Sequence, residues 1–353
     1  SDLKNIDFNW PAPMDMTNIS LNYDDDWLLN YWRTGDVGDV FRKNVEQALR
    51  TGEPGFSFNF FDKRHETLRN ACTEVTANNS LAPDGGDDSD VCNLGSINLA
   101  NIDNIDELKR IIELGTKFLV CGTLRADLPY EKVKRVREKN RRLGLGIMGI
   151  HEWLIQRGQR YEVTSELHRW LRVYKSVSDD VSDRYADELS ISRPVGKRAI
   201  APNGSIGILA GTTTGIEPLF AVAYKRRYLR GTTWHYQYVV DSAAKEVIEK
   251  YDAKPESIES ALDLADDYER RIKMQADIQD YVDHSISSTI NLPSWGSELN
   301  NPDTVAQFTE TLASYAHRIR GFTVYPDGAR GGQPLTSVPY EEAIKQVGEE
   351  FVE

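Results

Sequence analysis

The sequence predicts an α/β fold, and three observations carry that reading. Short apolar stretches of strand length alternate with amphipathic helical stretches along the whole chain. At 353 residues, with 40% hydrophobic and 27% charged residues, the chain has the length and composition of a globular protein with a sizeable core. One long polar stretch, residues 70–99, reads as a loop inserted between strands, and a second loop at Pro202 falls at the end of a strand, where α/β folds bind ligands.

Composition removes several classes of function. A net charge of −13 and a pI near 5.1 argue against a nucleic-acid-binding surface, which would be basic. An anionic substrate would need a local positive feature to hold it. Three cysteines, an odd number, and no signal-peptide start point to a reduced, intracellular chain, expected in the cytoplasm of a cell or, for a virus-encoded protein, of its host. No apolar run approaches the roughly 18 residues of a membrane span. The six histidines form no pair with metal-ligand spacing, so no zinc site is expected. The chain opens on Ser1, which an excised Met, an engineered start or a splicing junction would each explain.

In order, Thr17-Asn18-Ile19-Ser20-Leu21 reads as a strand, and Asp24-Asp25-Asp26 before Trp27 suit a helix start. Residues 37–50 read as an amphipathic helix closed by Gly52, and 55–60 as an alternating strand. Beyond the cysteine stretch, 93–100 read as a strand. Residues 105–124 read as a strong helix with Leu108, Ile111, Ile112, Leu119 and Val120 on one face and Cys121 in the core. Residues 129–142 read as a charged, exposed helix. Gly144-Leu-Gly146-Ile-Met-Gly149 formally matches G-x-G-x-x-G, but KVKRVREKNRR before it is no buried strand; a Gly-rich strand is the better reading than a dinucleotide site. Residues 164–189 read as a long helix covering a core. Residues 225–256 read as a solvated basic face and an aromatic strand, 268–282 as a charged helix, 285–293 as a strand, 305–319 as a helix and 321–325 as a short strand. Residues 326–353 read as a peripheral tail.

Asn70, Cys72 and Glu74 stand at two-residue steps, Asn-x-Cys-x-Glu. On an extended backbone all three would face one pocket. A carboxylate can move a proton, an amide can orient a hydroxyl, and a thiol can be a nucleophile, a redox group or a radical carrier. The polar run Pro83 to Asp90 would let the chain fold back and bring Cys92 near Cys72. The plainer alternative is two small buried hydrophobes. In the second stretch, Pro202-Asn203-Gly204-Ser205 ends an apolar strand and is followed by Thr212-Thr213-Thr214 and Gly215-Ile-Glu-Pro218. Glycines and hydroxyls beside a helix start can wrap a phosphate with backbone N–H groups; an ordinary strand-loop-helix turn explains the same residues.

Asn70-Ala-Cys72-Thr-Glu74 followed by Cys92-Asn-Leu-Gly-Ser-Ile-Asn-Leu resembles the active-site finger loop of ribonucleotide reductase catalytic subunits. The Gly144 run, the Pro202 loop with Gly215-Ile-Glu-Pro, and Thr323-Val-Tyr-Pro-Asp-Gly-Ala-Arg match the same family in the same order over nearly the whole chain. The resemblance implies a ten-stranded α/β barrel of two antiparallel halves with the finger, about 62–93, threaded through it. It implies that Cys72 carries a thiyl radical and removes the ribose 3′ hydrogen, that Glu74 takes the 3′-hydroxyl proton, and that Asn70 holds the ribose hydroxyls. Cys92 would be one of two thiols that reduce the 2′ carbon and end as a disulfide, with Pro202, Asn203, Gly204 and Ser205 on the substrate phosphates.

Three departures qualify this. The family's other reducing cysteine and its effector-reading loops lie on segments that would precede Ser1. No C-terminal cysteine pair is present. Residues 1–325 begin part-way through the barrel. The expectation is therefore the C-terminal piece of a split reductase, completed by a separate N-terminal chain, in an oligomer, and served by a thioredoxin- or glutaredoxin-like reductant; no nucleic acid or membrane partner is expected. Thr323-Val-Tyr325-Pro326 has one tyrosine where partner-radical members have two adjacent ones, so adenosylcobalamin is the expected cofactor. The long Cys72–Cys92 spacer resembles the class fed by a separate metal-containing radical subunit, which stays the alternative, beside a catalytically inactive assembly module and a simple thiol-disulfide protein.

Overall fold

In the computed structural model, which describes residues 17–86, 89–329 and 335–352, local chemistry sets most element boundaries. Strand β1 (Ser20–Tyr23) runs into helix α1 (Asp25–Thr34), whose first turn is capped by the Asp24 side chain and whose end is closed by Gly35 in the left-handed conformation. Helix α2 (Gly38–Thr51) leads to β2 (Gly55–Phe58). The short strands β3 (Leu68–Arg69) and β4 (Thr76–Ala77) pair antiparallel. Next come β5 (Asn93–Asn98), α3 (Ile105–Arg125, capped by Asn104), α4 (Glu131–Asn140), β6 (Leu143–Met148) and α5 (Ile150–Ile155). Helix α6 (Ser165–Glu188, capped by Thr164) and α7 (Gly204–Ala210) precede a hairpin of β7 (Ala223–Arg230) and β8 (Thr233–Val240). The chain closes with α8 (Ser242–Tyr251), α9 (Tyr268–Gln279), β9 (Thr289–Leu292), α10 (Val305–Tyr315), β10 (Gly321–Pro326), β11 (Leu335–Ser337), α11 (Tyr340–Ala343) and β12 (Glu350–Val352).

Apart from the β3–β4 ribbon and the sheet built on the β7–β8 hairpin, the strands form one curved wall. β5 lies parallel to β6. On its other side β6 donates from the Leu143 and Leu145 N–H groups to the Gly196 and Lys197 carbonyls, and that segment bridges in parallel from Ile200 to Ile286. The 284–292 segment continues into β9, which pairs parallel with β10. β10 turns the direction over by pairing antiparallel with β2, and β2 pairs parallel with β1. The result is an arc with five segments pointing one way and two the other. Its outer members, β5 and β1, each pair on one side only among the described residues.

Two cores lie behind this wall. One packs α3 and α6 against β5 and β6 through Ile97, Leu119, Leu145, Ile147, Leu171 and Tyr174. The other is aromatic and packs α1, α2 and α10 against β2 and β10 through Phe41, Phe56, Phe58, Phe308 and Phe322. The run Leu143 to Met148 is buried along its whole length, as a central parallel strand should be. Gly146 is required there, since a Cβ would stand 2.6 Å from the Ala199 carbonyl oxygen.

Several expectations shift. The first strand is Ser20–Tyr23, not 17–21, because Asp24 is used to cap α1. Only Thr289–Leu292 of 285–293 is a regular strand. The basic face and aromatic strand expected over 225–256 are the two strands of one hairpin, Ala223–Arg230 and Thr233–Val240, followed by α8; Lys225 and Arg227 alternate with Tyr224 and Tyr228 as on a two-faced strand. α4 and α9 are not simply exposed: Arg137 and Asn140, and Arg271, Gln275 and Asp277, are buried polar residues. The tail is peripheral but ordered onto the hairpin, with β11 on β7 and β12 on β8. Cys121 is half-buried, its Sγ 3.5 Å from the Tyr185 hydroxyl, so it is no core residue.

Candidate active site

The finger is a ribbon, β3 and β4, with residues 70–75 as its tip. Its base is held by charge. Arg69 donates to Asn59 Oδ1 (2.7 Å) and to the Arg320 carbonyl (3.0 Å). Arg320 reaches Glu66 (2.8 Å), Asn59 (2.9 Å) and the Asp283 carbonyl (2.7 Å). Burial pushes the Glu66 carboxyl up, but Arg320 and Lys63 outweigh it and hold it down at about 2. On the return limb the Thr76 hydroxyl donates to Glu66 (3.0 Å) and the Thr76 N–H to His284 Nδ1 (3.2 Å). The Glu74 carbonyl accepts from the Ser285 N–H (2.9 Å), which ties the tip to the wall.

The tip itself corrects the sequence reading. Asn70, Cys72 and Glu74 do not share a face of an extended strand. The Thr73 N–H bonds back to the Asn70 carbonyl (3.0 Å), the Val75 N–H to Asn70 Oδ1 (3.0 Å), and Thr73 takes a left-handed φ of 69°. A turn, not a pleat, groups the three residues, and Asn70 folds it with its own carbonyl and side-chain oxygen. That leaves the Asn70 amide N–H group as the part able to reach a ligand. Thr73 is β-branched, and its φ is a true outlier at the site.

Cys72 is exposed at the tip, Cys92 is half-buried, and both are free thiols. Glu74 is only 2% exposed, and its Oε2 has no hydrogen-bond partner among the described residues. Partial desolvation at the tip raises the Cys72 thiol, and the Glu74 charge raises it further. Burial also pushes the Cys92 thiol well up; Arg142 opposes this, while Asp90, Glu74 and Asp283 add to it. The Glu74 charge thus bears on both sulfurs. Both thiols are therefore held in the protonated form near neutral pH.

At the second loop, Asn203 sits at φ 58° before α7, buried, with Oδ1 accepting from the Ser96 hydroxyl (2.9 Å) and Nδ2 without a partner among the described residues. Pro202, Gly204 and Ser205 are exposed. The threonine cluster is turned inward. The Thr212 hydroxyl meets Asn98 Oδ1 (3.2 Å) and the buried Glu152 carboxylate, and the Thr213 hydroxyl accepts from the Glu152 N–H (3.3 Å). These hydroxyls fasten the loop to β5 and α5 and do not face a ligand.

Residues 22–172 and 197–325 match the ribonucleotide reductase barrel domain. The chain belongs to that family. It is 28% identical over 90% of its length to a vitamin B12-dependent ribonucleoside-diphosphate reductase of Mycobacterium tuberculosis (strain CDC 1551 / Oshkosh), covering 48% of that protein. It is 28% identical over 94% of its length to a putative adenosylcobalamin-dependent ribonucleoside-triphosphate reductase of Mycobacterium phage D29, covering 52% of it. The chain therefore spans about half the length of these relatives. Its fold matches the crystal structure of a B12-dependent (class II) ribonucleotide reductase with a TM-score of 0.72 at 15% identity, over 93% of this chain and 49% of that one. The arc of five and two strand segments is accordingly part of a reductase barrel, with the finger at its centre.

Within that barrel the sequence reading missed the finger's supports. Glu66, Arg142, His284 and Arg320 are single polar residues scattered along the chain, and no motif marks them. Among the described residues no group of His, Cys, Asp and Glu could hold a metal ion, and no helix is long and apolar enough to cross a membrane.

Proposed function

We propose that this chain reduces ribonucleotides to deoxyribonucleotides as the finger-bearing part of a reductase, completed by a complementary N-terminal reductase chain. The observation that carries the reading is the Glu74 carboxylate: buried, unpaired at Oε2, and acting on two free thiols. An unpaired buried acceptor is costly, and a substrate hydroxyl would satisfy it. Cys72 would remove the ribose 3′ hydrogen, Glu74 would take the 3′-hydroxyl proton, and the Asn70 amide would hold the hydroxyls. The 2′ oxygen leaves as water while Cys92 and a second cysteine, on the complementary chain, are oxidised to a disulfide. Residues 202–205 would face the substrate phosphates with the exposed start of α7 and the unpaired Asn203 amide.

The open edges of β5 and β1 support completion by further strands, since unpaired edges beside apolar faces are unfavourable in isolation. Adenosylcobalamin fits the tip: Cys72 is exposed beside Ala71 and Asn18, whose amide bonds the Ala71 carbonyl, so a bulky group can stand over the thiol there. When bound, it would supply the radical. β10 offers Tyr325 with Thr323 two residues before it and Pro326 after it, not a tyrosine pair. An external thioredoxin- or glutaredoxin-like dithiol would re-reduce the site, and the assembly would be an oligomer acting in the cytoplasm.

The test is deoxyribonucleotide formation by this chain mixed with its complementary half and a dithiol, with and without adenosylcobalamin. Product that requires both the other half and the cobalamin supports the whole reading. Product that instead requires an iron or manganese radical subunit keeps the split and overturns the cofactor. No product from associated halves under either condition overturns the activity, and turnover by the chain alone overturns the split.

A further inference from the structure

Two buried charges beside Cys92 have no part in the reading above. Arg142 Nε and Asp90 Oδ2 stand 2.5 Å apart, with side chains 3% and 2% exposed. Asn140 Nδ2 donates to the same carboxylate oxygen at 3.0 Å. A buried ion pair of this kind seldom repays its desolvation in stability, so packing alone is a weak reason for it. Its position supplies another. β5 and β6 pair in parallel from Asn93 opposite Leu143, so Cys92 and Arg142 are the residues that lead into the two strands side by side, and Asp90 is tied to the end of α4 by Asn140. The Cys92 sulfur lies over Gly144, where a Cβ would come within 3.1 Å of it. Four charges act on that sulfur: Arg142 from β6's foot, Asp90 from its own limb, Glu74 from the finger tip and Asp283 from the segment before β9. Arg142 alone among them is positive.

We propose that Arg142, fixed in place by Asp90, is a positioning residue for Cys92 that offsets the negative charge on its sulfur whenever Cys92 leaves a disulfide as the thiolate. The proposal rests on the reductase reading only for the origin of that disulfide, whose second sulfur belongs to a cysteine of the complementary chain. A thiolate of an external dithiol attacks that second sulfur. The new S–S bond forms as the bond to Cys92 breaks, and the electron pair goes to Cys92 Sγ, which then takes a proton from solvent. The second thiol of the dithiol resolves the mixed disulfide, so the dithiol ends oxidised and both protein thiols reduced. Asp90 has a second effect. By neutralising much of the guanidinium charge it keeps Cys92 a thiol at rest, which the reduction step needs.

The test follows iodoacetamide alkylation of the full chain against pH, with Cys92, Cys72 and Cys121 read separately by peptide mass spectrometry. Arg142→Met should slow Cys92 alkylation about tenfold at a fixed pH below the midpoint, a rise of about one pH unit in the profile. Arg142→Lys, which keeps the charge, should stay near the wild-type profile, and Asp90→Asn should move it down. The Cys72 profile should not move, which reports an intact finger. Shifts of Arg142→Met and Asp90→Asn in the same direction, or an Arg142→Lys profile like that of Arg142→Met, would overturn the proposal. If Arg142→Met does not fold, the other two variants decide, and an unmoved or raised Asp90→Asn profile overturns it. Alkylation needs no nucleotide, so shifts as expected in a chain that forms no deoxyribonucleotide even when associated with its complementary half would sink the reductase reading and leave the charge relation standing.

Discussion

The Thr76 N–H donates to Nδ1 of His284 across 208 residues of sequence, and this bond fixes the protonation of the imidazole. Nδ1 must be bare to accept it, so the single ring proton sits on Nε2, and a second proton would set two donors against each other. Burial, with Arg142 nearby, lowers His284 to about 3. In the unfolded chain it titrates near 6.5. A lowered histidine means that the unfolded state binds the extra proton between those values. Its contribution to stability is complete above about pH 6.5 and is lost as pH falls toward 3. His284→Gln, which cannot be charged, should flatten the loss of stability between pH 6.5 and 4.5. Urea unfolding midpoints across that range check it; an unchanged slope would show that the imidazole is not the titrating group.

The Glu66–Arg320 pair acts in a lower window. Glu66 is held at about 2 against an ordinary 4.5, so its stabilisation is complete above pH 4.5 and disappears as pH falls toward 2. Both side chains are nearly buried, at 13% and 10% exposed. Glu66→Gln should cost about 3 kcal/mol at pH 7, since it leaves Arg320 buried without its carboxylate. The cost should shrink below pH 4, where wild type loses the charge as well. Denaturant unfolding at the two pH values measures both numbers.

These two pairs also mark where the sequence stopped being readable. The long helices α3 and α6 announce themselves by apolar residues at helical spacing and by the caps Asn104 and Thr164. The finger's candidate residues stand out because Asn70, Cys72 and Glu74 are close in sequence. Their supports are not: Glu66 meets Arg320, and Thr76 meets His284, only because the curved wall brings distant segments together, and a lone Glu, His or Arg carries no periodicity. α8 was within reach, with Asp241 as cap and Ala243, Ala244 and Val247 as its buried face. The basic residues of β7 hid the strand before it and drew attention away. The turn at the tip was masked in a different way. A β-branched Thr73 argues locally for extended backbone, and tertiary bonds from Ser285 and His284 override that preference.

Glu74 is predicted to separate chemistry from stability. Replacing a buried, unpaired carboxylate by an amide removes a desolvation cost, so Glu74→Gln should leave the melting temperature equal to or above wild type. The same change removes the group proposed to accept the 3′-hydroxyl proton, and turnover in the completed enzyme should fall by about 10²- to 10⁴-fold. Thermal unfolding and deoxyribonucleotide formation on one preparation test both halves. A variant that keeps turnover within threefold of wild type would remove Glu74 from the proton step.

Tyr325 decides between the two radical sources. It lies half-buried on β10, paired with Asn291 of β9, and no second tyrosine adjoins it. A radical delivered through the protein from a partner subunit needs a redox-active phenol at this step, and a phenyl ring cannot lose the hydroxyl hydrogen. A radical generated by a group standing directly over Cys72 does not pass through Tyr325. Tyr325→Phe keeps the ring and its packing, so a structural loss is not expected. Under the cobalamin reading the completed enzyme should retain turnover within about threefold, a loss below about 1 kcal/mol. Abolished turnover with unchanged thermal unfolding would transfer the radical to a partner subunit and make the phenol its last relay before Cys72.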